Sequence, residues 1–432
     1  MKEVNYDKDI KALFVILVAL VLLLGYVTFI KLTYKAPTEN NGGKDVEVSD
    51  NDDFRLNFIK NTNKVNSDNY LISPYSVEIA LDMLRNGADE STLEELNSVL
   101  GSRSIANISV KDRIGVANSL FIKDVFKDYV KSEFSDYAMN TYGAEIIYDS
   151  FSSPDIINEW CQEKTWNMID KVVDDMSSDF VLGIANAVAI DVDWFAEFNC
   201  HETESAEFSK DDGTVINVEM MHNEYKNTVK YFEDDNSMGV VIPYMTYDAD
   251  GNINGGGTKL EFVGILPNDT VSEYITNLNS DVLEGIDNAE EASGSQKISV
   301  FLPRFKYDYD FDQFGSVLKT MGINNVFDST SANLTNIISR DDMTSLGIEN
   351  LYVSTAIHKT HIDLNEKGTK AAAITYIQEE YENAMMDGDN EIIELKFDRP
   401  FVYMIRDSQS KEILFFGVVY SPSEWSGSTC SD

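Results

Sequence analysis

The sequence predicts a mixed fold of helices and strands, the α+β class, and two stretches carry that expectation. Ser73 and Pro74 sit where an N-cap and a first helical residue belong. Val77, Ala80, Leu81 and Leu84 follow at i, i+3, i+4 and i+7, the core face of a helix. Near the other end, Leu351 to Leu364 reads as a strand. It runs into Glu366-Lys367-Gly368-Thr369-Lys370-Ala371-Ala372-Ala373-Ile374-Thr375, whose middle is dominated by small residues.

This second stretch organises the chain. At a period of two, Thr369, Ala371, Ala373, Thr375 and Ile377 share one face, and Lys370, Ala372, Ile374, Tyr376 and Gln378 the other. The first face is small and uncharged, so the segment can slide between two existing strands without a clash or a buried charge. Gly368 stands where such a motion needs a hinge, because glycine adopts backbone angles other residues avoid. The competing reading is a helix start, for which Ala and Lys have good propensity.

With 432 residues and 43% hydrophobic content the chain can bury a large core. Its net charge of -40, from 34 basic and 74 acidic residues, argues against a nucleic-acid partner. Cys161, Cys200 and Cys430 are widely spaced and odd in number, with no metal spacing, and the expectation is that none is bridged. His201, His222, His358 and His361 do not sort into a catalytic set. His358 and His361 have opposite strand parity, and the adjacent Cys200-His201 cannot form an ordinary thiolate pair. No enzyme, cofactor or metal is expected, and the catalytic residue set is empty.

The N-terminus carries an apolar run over residues 12–30, long enough for the roughly 20 residues a bilayer demands. A cleaved signal peptide has an apolar region of about 7–15 residues and a small-residue cleavage site, so an uncleaved anchor is the preferred reading. The expected organisation is a short cytoplasmic tail at 1–11, the anchor (or signal peptide) at 12–30, a flexible acidic linker at 31–53, a domain at 54–425 and a tail at 426–432. That places a single-pass protein at the cell membrane with its domain outside, or alternatively a secreted one.

From Asn69 the chain becomes more specific. Asn69, Ser73, Pro74, Ser76, Ala80, Leu81, Met83, Gly87, Ala88 and Thr92 resemble the opening signature of the serpin family, and the Glu366–Thr375 stretch resembles the serpin hinge before the reactive-centre loop. The strand-like Ala117–Ile122, Asn158 and Trp160, Asn186-Ala187 with Trp194 and Phe198, Leu302–Phe305, His358-Lys359, Phe397–Phe401 and Ile413–Gly417 with Pro422 resemble further family blocks. The resemblance implies three β-sheets, about eight helices and an exposed loop. It also implies that Ser73, Ser76, Asn186, Trp194 and His358 line the region where the main sheet opens, with His358 a hydrogen-bonding residue there. The hinge would comprise Glu366, Gly368, Thr369, Ala371, Ala372, Ala373 and Thr375.

Two departures stand out. About sixteen residues separate Leu100 from Ala117, where the family usually has a helix that binds sulfated polysaccharide in some members. Ile190-Asp191-Val192-Asp193 replaces an aromatic-Lys-Gly element, with altered local packing expected. Asp248–Asn252 and Gly255-Gly256-Gly257 superficially suggest a calcium loop, but Ile253 and Lys259 occupy the places where its glycine and acid belong, so a hairpin tip is expected.

The implied activity is suicide inhibition of a serine protease, with cysteine proteases as a second target class. The loop is cleaved, an acyl-enzyme forms, and the freed arm inserts as a new strand. Sixteen residues on from Glu366 is Glu382, which puts the expected reactive bond at Glu382–Asn383; Tyr381, Met385 and Met386 are the alternatives. Family spacing counted back from Arg399-Pro400 lands near Asp389, so the loop is long. The protein is expected to be monomeric. The rival expectations are a non-inhibitory binding or carrier module of the same fold, or a surface adhesion protein.

Overall fold

A computed structural model describes residues 53–177, 179–291, 296–348, 350–369 and 392–425. The chain divides at Val48–Ser49; the unit before that point lies outside the described residues, and the second unit is the subject from here on.

Its centre is a seven-stranded sheet in the order Tyr70–Ile72, Ile413–Val419, Phe401–Asp407, Leu260–Pro267, Ser237–Pro243, Lys230–Glu233 and Glu290–Glu291. Every residue of Phe401–Asp407 and Ile413–Val419 is buried, as expected of strands covered on both faces. One face meets Leu56, Phe58, Leu81 and Leu84; the other meets Trp194, Phe208, Val300 and Phe305. A four-stranded sheet of Ile392–Lys396, Lys297–Pro303, Val215–Tyr225 and Glu204–Ser209 covers this second side.

The helix Pro74–Gly87 forms as its signals require. Ser73 Oγ accepts the Ser76 N–H at 3.2 Å and proline stands at the first position. Nearly every residue of it is buried, so it lies between layers rather than on the surface. Gly87 is tight against Ile337, where a side chain would collide.

The remaining strands make one long sheet that is split. Its lower part runs Val353–Ile357, Leu182–Ile190, Ile114–Lys123, Glu145–Asp149; its upper part runs Phe305–Asp310, Lys359–Leu364, Gly368–Thr369, Val192–Asp193. The single strand expected over Leu351–Leu364 is therefore two, Val353–Ile357 and Lys359–Leu364, with His358 at the break. The physical reason is a change of neighbour: below His358 the strand pairs with Leu182–Ala185, above it with Phe305–Asp310 and Thr369. This split gives four sheets where three were expected. Nine α-helices occur among the described residues, close to the expected eight. The helix Asp155–Lys164 lies over the lower sheet, with Ile157, Trp160 and Cys161 packed on Phe121, Ala185 and Ala187.

Residues 101–113 contain no helix, so the region where the family usually adds one is a loop. Two expectations are corrected. Cys200 is disulfide-bonded, with its partner outside the described residues, while Cys161 is free and buried. Spacing alone gave no framework because a bridge depends on proximity in the fold, not on proximity in sequence. The membrane location is withdrawn as well. Among the described residues no helix is long and apolar enough to cross a membrane, and residues 1–52, which hold the expected tail, anchor and linker, lie outside them.

Candidate functional site

The strand Lys359–Leu364 ends in a tight reversal. The Asn365 N–H donates to the Gly368 carbonyl and the Lys367 N–H donates to Asn365 Oδ1, both at 3.0 Å. This returns Thr369 to a position opposite Leu364. Gly368 and Thr369 then pair antiparallel with Asp193 and Val192. Gly368-Thr369 thus forms a short strand between the ends of Lys359–Leu364 and Val192-Asp193. Thr369 is buried, 4% exposed, and its hydroxyl lies 2.6 Å from Tyr244 Oη.

Gly368 is constrained by its surroundings. It is not among the glycines with positive φ. Instead, an added Cβ would collide with the Val192 carbonyl oxygen, so the requirement is close backbone approach.

Glu366, 5% exposed, carries a charge at the turn. Arg304 Nε donates to both its oxygens at 2.7 and 2.8 Å, and the Thr203 hydroxyl also donates to it. Arg304 Nη1 reaches Glu219 at 2.9 Å. One guanidinium thus joins two nearly buried carboxylates, the multiply hydrogen-bonded arrangement that offsets desolvation. Trp194 closes the site: it is fully buried, stacks on Tyr244 with centroids 4.4 Å apart, and its Nε1 donates to the Asn365 carbonyl at 2.9 Å. Its backbone N–H donates to the Lys367 carbonyl at 2.8 Å.

The second group of side chains lies lower, under the break in the long strand. His358 is buried among Phe58, Phe311 and Phe314 and accepts the Ser73 N–H on Nε2 at 3.1 Å. Burial pushes its pKa down to about 3, so the ring is neutral. Ser76 Oγ donates to the Ser73 carbonyl at 3.3 Å. Asn186 Nδ2 donates to Asn118 Oδ1, and Asn118 Nδ2 to the Tyr142 carbonyl at 3.1 Å, but Asn186 Oδ1 is buried without a partner. Asn186 and His358 share the wall of one cavity with Ala356, Ile357 and Ile184, at the level where pairing between Leu182–Ile190 and Val353–Ile357 stops. Above that level Asn186–Ile190 and Lys359–Leu364 are not paired. A smaller cavity lies between Ile190, Ile362 and Thr369.

The structure therefore brings Ser73, Ser76, Asn186 and His358 together in one group, and Trp194, Glu366, Gly368 and Thr369 in another. Ala371, Ala372, Ala373, Thr375, Tyr381, Glu382, Asn383, Met385 and Met386 lie outside the described residues. Sequence reasoning missed Tyr244, Thr203 and Glu219, and gave no role to Arg304; no local pattern marks them, because they come together from distant parts of the sequence. Asp248–Asn252 is a turn in which Asp248 Oδ1 accepts the Asp250 and Asn252 N–H groups, each at 3.0 Å. Phe195, beside this site, is a large apolar residue left 40% exposed.

Comparison with known proteins agrees with this architecture. The family model of serpins, the serine protease inhibitors, matches residues 49–422. The leukocyte elastase inhibitor of Xenopus laevis is 29% identical over 396 residues, covering 85% of this chain and 97% of the relative. The native-state structure of Tengpin, a thermophilic serpin, superposes with a TM-score of 0.71 at 28% identity over 89% of this chain and 97% of that one. Human thyroxine-binding globulin complexed with thyroxine superposes with a TM-score of 0.70 at 22% identity over 87% of this chain and 98% of that one, a likeness of fold alone. The family match over residues 49–422 establishes that the chain belongs to the serpin family.

Proposed function

We propose that the chain inhibits serine proteases by cleavage of the loop after the hinge, covalent trapping of the protease, and insertion of the freed arm into the split sheet. The observation that carries this reading is the pairing of Thr369 with both Leu364 and Val192. Continued in the same antiparallel register, Ala371 would meet Ile190 and Ile362, Ala373 would meet Val188 and Thr360, and Thr375 would meet Asn186 and His358. The residues that would turn inward are Thr or Ala, and Lys370 would turn outward. A charge at an inward position would lack solvation and slow insertion.

The energetics agree. A new strand adds about a dozen backbone hydrogen bonds, each worth about 1 kcal/mol net, or roughly 10 kcal/mol before side-chain burial. Loop insertion as release of stored strain is a general device of this family. Dragging the acylated protease along would distort its oxyanion hole, the largest electrostatic contribution to deacylation. The reactive bond is proposed at Glu382–Asn383, with Tyr381, Met385 and Met386 as alternatives. Of the two expected locations, the secreted one fits the family, and a bridged Cys200 agrees with an oxidising compartment.

The test mixes the chain with chymotrypsin, pancreatic elastase, trypsin and a glutamate-specific endopeptidase. A denaturing gel reads covalent complex and mass spectrometry reads the released C-terminal peptide. A stable complex with a peptide starting at Asn383 supports the mechanism and that bond. Complex with a peptide starting near Asp387 keeps the mechanism and moves the bond. Cleavage with no complex and no gain in thermal stability overturns inhibition and leaves a binding or carrier module of the same fold.

A further inference from the structure

The strand end that receives the hinge is held by a loop that inhibition, as described above, does not use. Tyr244 to Lys259 joins the strands Ser237–Pro243 and Leu260–Pro267. Instead of turning tightly, it folds back over the top of the split sheet. Tyr247, 1% exposed, is its anchor. Its hydroxyl donates to Asp193 Oδ2 at 2.9 Å and accepts the Asp193 N–H at 3.1 Å. The Met245 N–H donates to the Asp193 carbonyl at 2.8 Å. All three polar groups of Asp193 are thus taken by the loop.

A third segment joins in. The Arg113 guanidinium lies 4.8 Å above the Tyr247 ring and reaches Asp193 Oδ2 at 3.4 Å and the Asp191 carbonyl at 3.3 Å. Arg113 stands at the end of the helix-free 101–113 segment, and the Lys111 N–H in that segment donates to the Ala249 carbonyl at 3.3 Å. Val192-Asp193 is the pair that stands opposite Thr369 and Gly368 in the antiparallel register. Whatever fixes Asp193 therefore fixes where the first inserted residue sits, and every later residue of an antiparallel strand inherits that register. A shift of one residue would turn Lys370 inward.

We propose that Tyr247, Asp193 and Arg113 form a register anchor, a set of positioning residues through which the 244–259 loop sets the alignment and speed of loop insertion. This rests on the insertion mechanism proposed above. Loosening the anchor lets Val192-Asp193 move, the hinge loses its fixed partner, and more acyl-enzyme hydrolyses before insertion is complete.

The experiment uses the full chain and Tyr247→Phe, with Gly255→Ala in the same loop as a control, because Gly255 has open space around it. Arg113→Lys is the second variant, so that the result does not hang on one substitution. Amide hydrogen exchange in the uncleaved chain reads the anchor without reference to any protease. The expected result is exchange about three- to tenfold faster at Gly368 and Thr369 in both variants, matching the loss of roughly one hydrogen bond, and unchanged exchange in the control. Cleavage of the loop by glutamate-specific endopeptidase, followed through Trp194 fluorescence, reads insertion. Slower insertion in the variants, at an uncleaved melting temperature within about two degrees of wild type, supports the anchor. Unchanged exchange at Gly368 and Thr369 overturns it. Faster exchange with insertion as rapid as wild type also overturns it. If the wild-type chain itself shows no insertion, the inhibitory reading fails, and the proposed control of insertion fails with it, while exchange still reports whether the contact holds the hinge.

Discussion

Tyr244 Oη and Thr369 Oγ1 lie 2.6 Å apart, both buried, and this contact ties the short strand Gly368-Thr369 to the framework. Tyr244 is stacked on Trp194, and burial pushes its phenol well above the ordinary range, so it stays a neutral hydrogen-bonding group. Thr369→Arg would put a guanidinium into this space with no carboxylate against it, at a cost of several kcal/mol. The expected outcome is loss of covalent complex with retained loop cleavage, and no rise in melting temperature after cleavage. Thr369→Val keeps the shape and should retain complex formation. The check is a gel assay paired with a thermal melt of the cleaved protein.

Arg304 is shared between Glu366 and Glu219, so the two acids are not equivalent. Glu366 holds it through Nε and Nη2 and also receives the Thr203 hydroxyl, while Glu219 holds one nitrogen. Glu366→Ala should destabilise the uncleaved protein by about 2–4 kcal/mol, and Glu219→Ala by less. Glu366→Lys should cost more than Glu366→Ala, because it adds a like charge beside Arg304. Urea unfolding of the three variants gives the order, and equal losses for the two alanine variants would contradict it.

The extent to which this was readable from sequence follows the range of the interactions. Ser73 and Pro74 announce a helix because capping is local; of the alternating stretch only Thr369 is described, in the short strand Gly368–Thr369, and 370–377 lie outside the described residues. The break at His358 was not readable, since it comes from a change of partner between Leu182–Ala185 and Phe305–Asp310. Nor was the role of Gly368 at the turn: its constraint is the Val192 carbonyl, almost 180 positions away (368 − 192 = 176). Nor was the packing around Asp193 readable, because Tyr247 and Arg113 meet it only in the folded chain.

Thiol chemistry gives a check on the covalent framework. Of three cysteines, Cys200 is bridged and Cys161 is free, and burial pushes the Cys161 thiol up to about 12. A thiol at that pKa, packed under Phe121 and Trp160, is a poor nucleophile and sterically shielded. The native protein should show no fast-reacting thiol toward a disulfide reagent at pH 8. In denaturant without reductant one thiol should appear, and alkylation followed by peptide mapping should find it at Cys161. Three thiols in denaturant would remove the bridge.

His358 makes stability depend on pH. Its folded pKa is about 3, because burial strips the charged ring of its hydration; unfolded, it returns to about 6.5. Between those values the unfolded chain binds a proton that the folded chain does not, so stability rises with pH there and is lost on acidification. The slope approaches 1.4 kcal/mol per pH unit, which makes the loss about 2 kcal/mol at pH 5 relative to neutral. Charging His358 would also leave the Ser73 N–H facing a donor in place of its acceptor. His358→Gln keeps an acceptor within reach of Ser73 but cannot titrate. The variant should be less stable than wild type at pH 7.5, and the gap should close by about 2 kcal/mol by pH 5. Denaturant unfolding at the two pH values isolates this group from the other titrating residues, because those are common to both proteins. A gap that stays constant from pH 7.5 to 5 would mean that the ring is protonated in the folded protein, and that Ser73 has another acceptor.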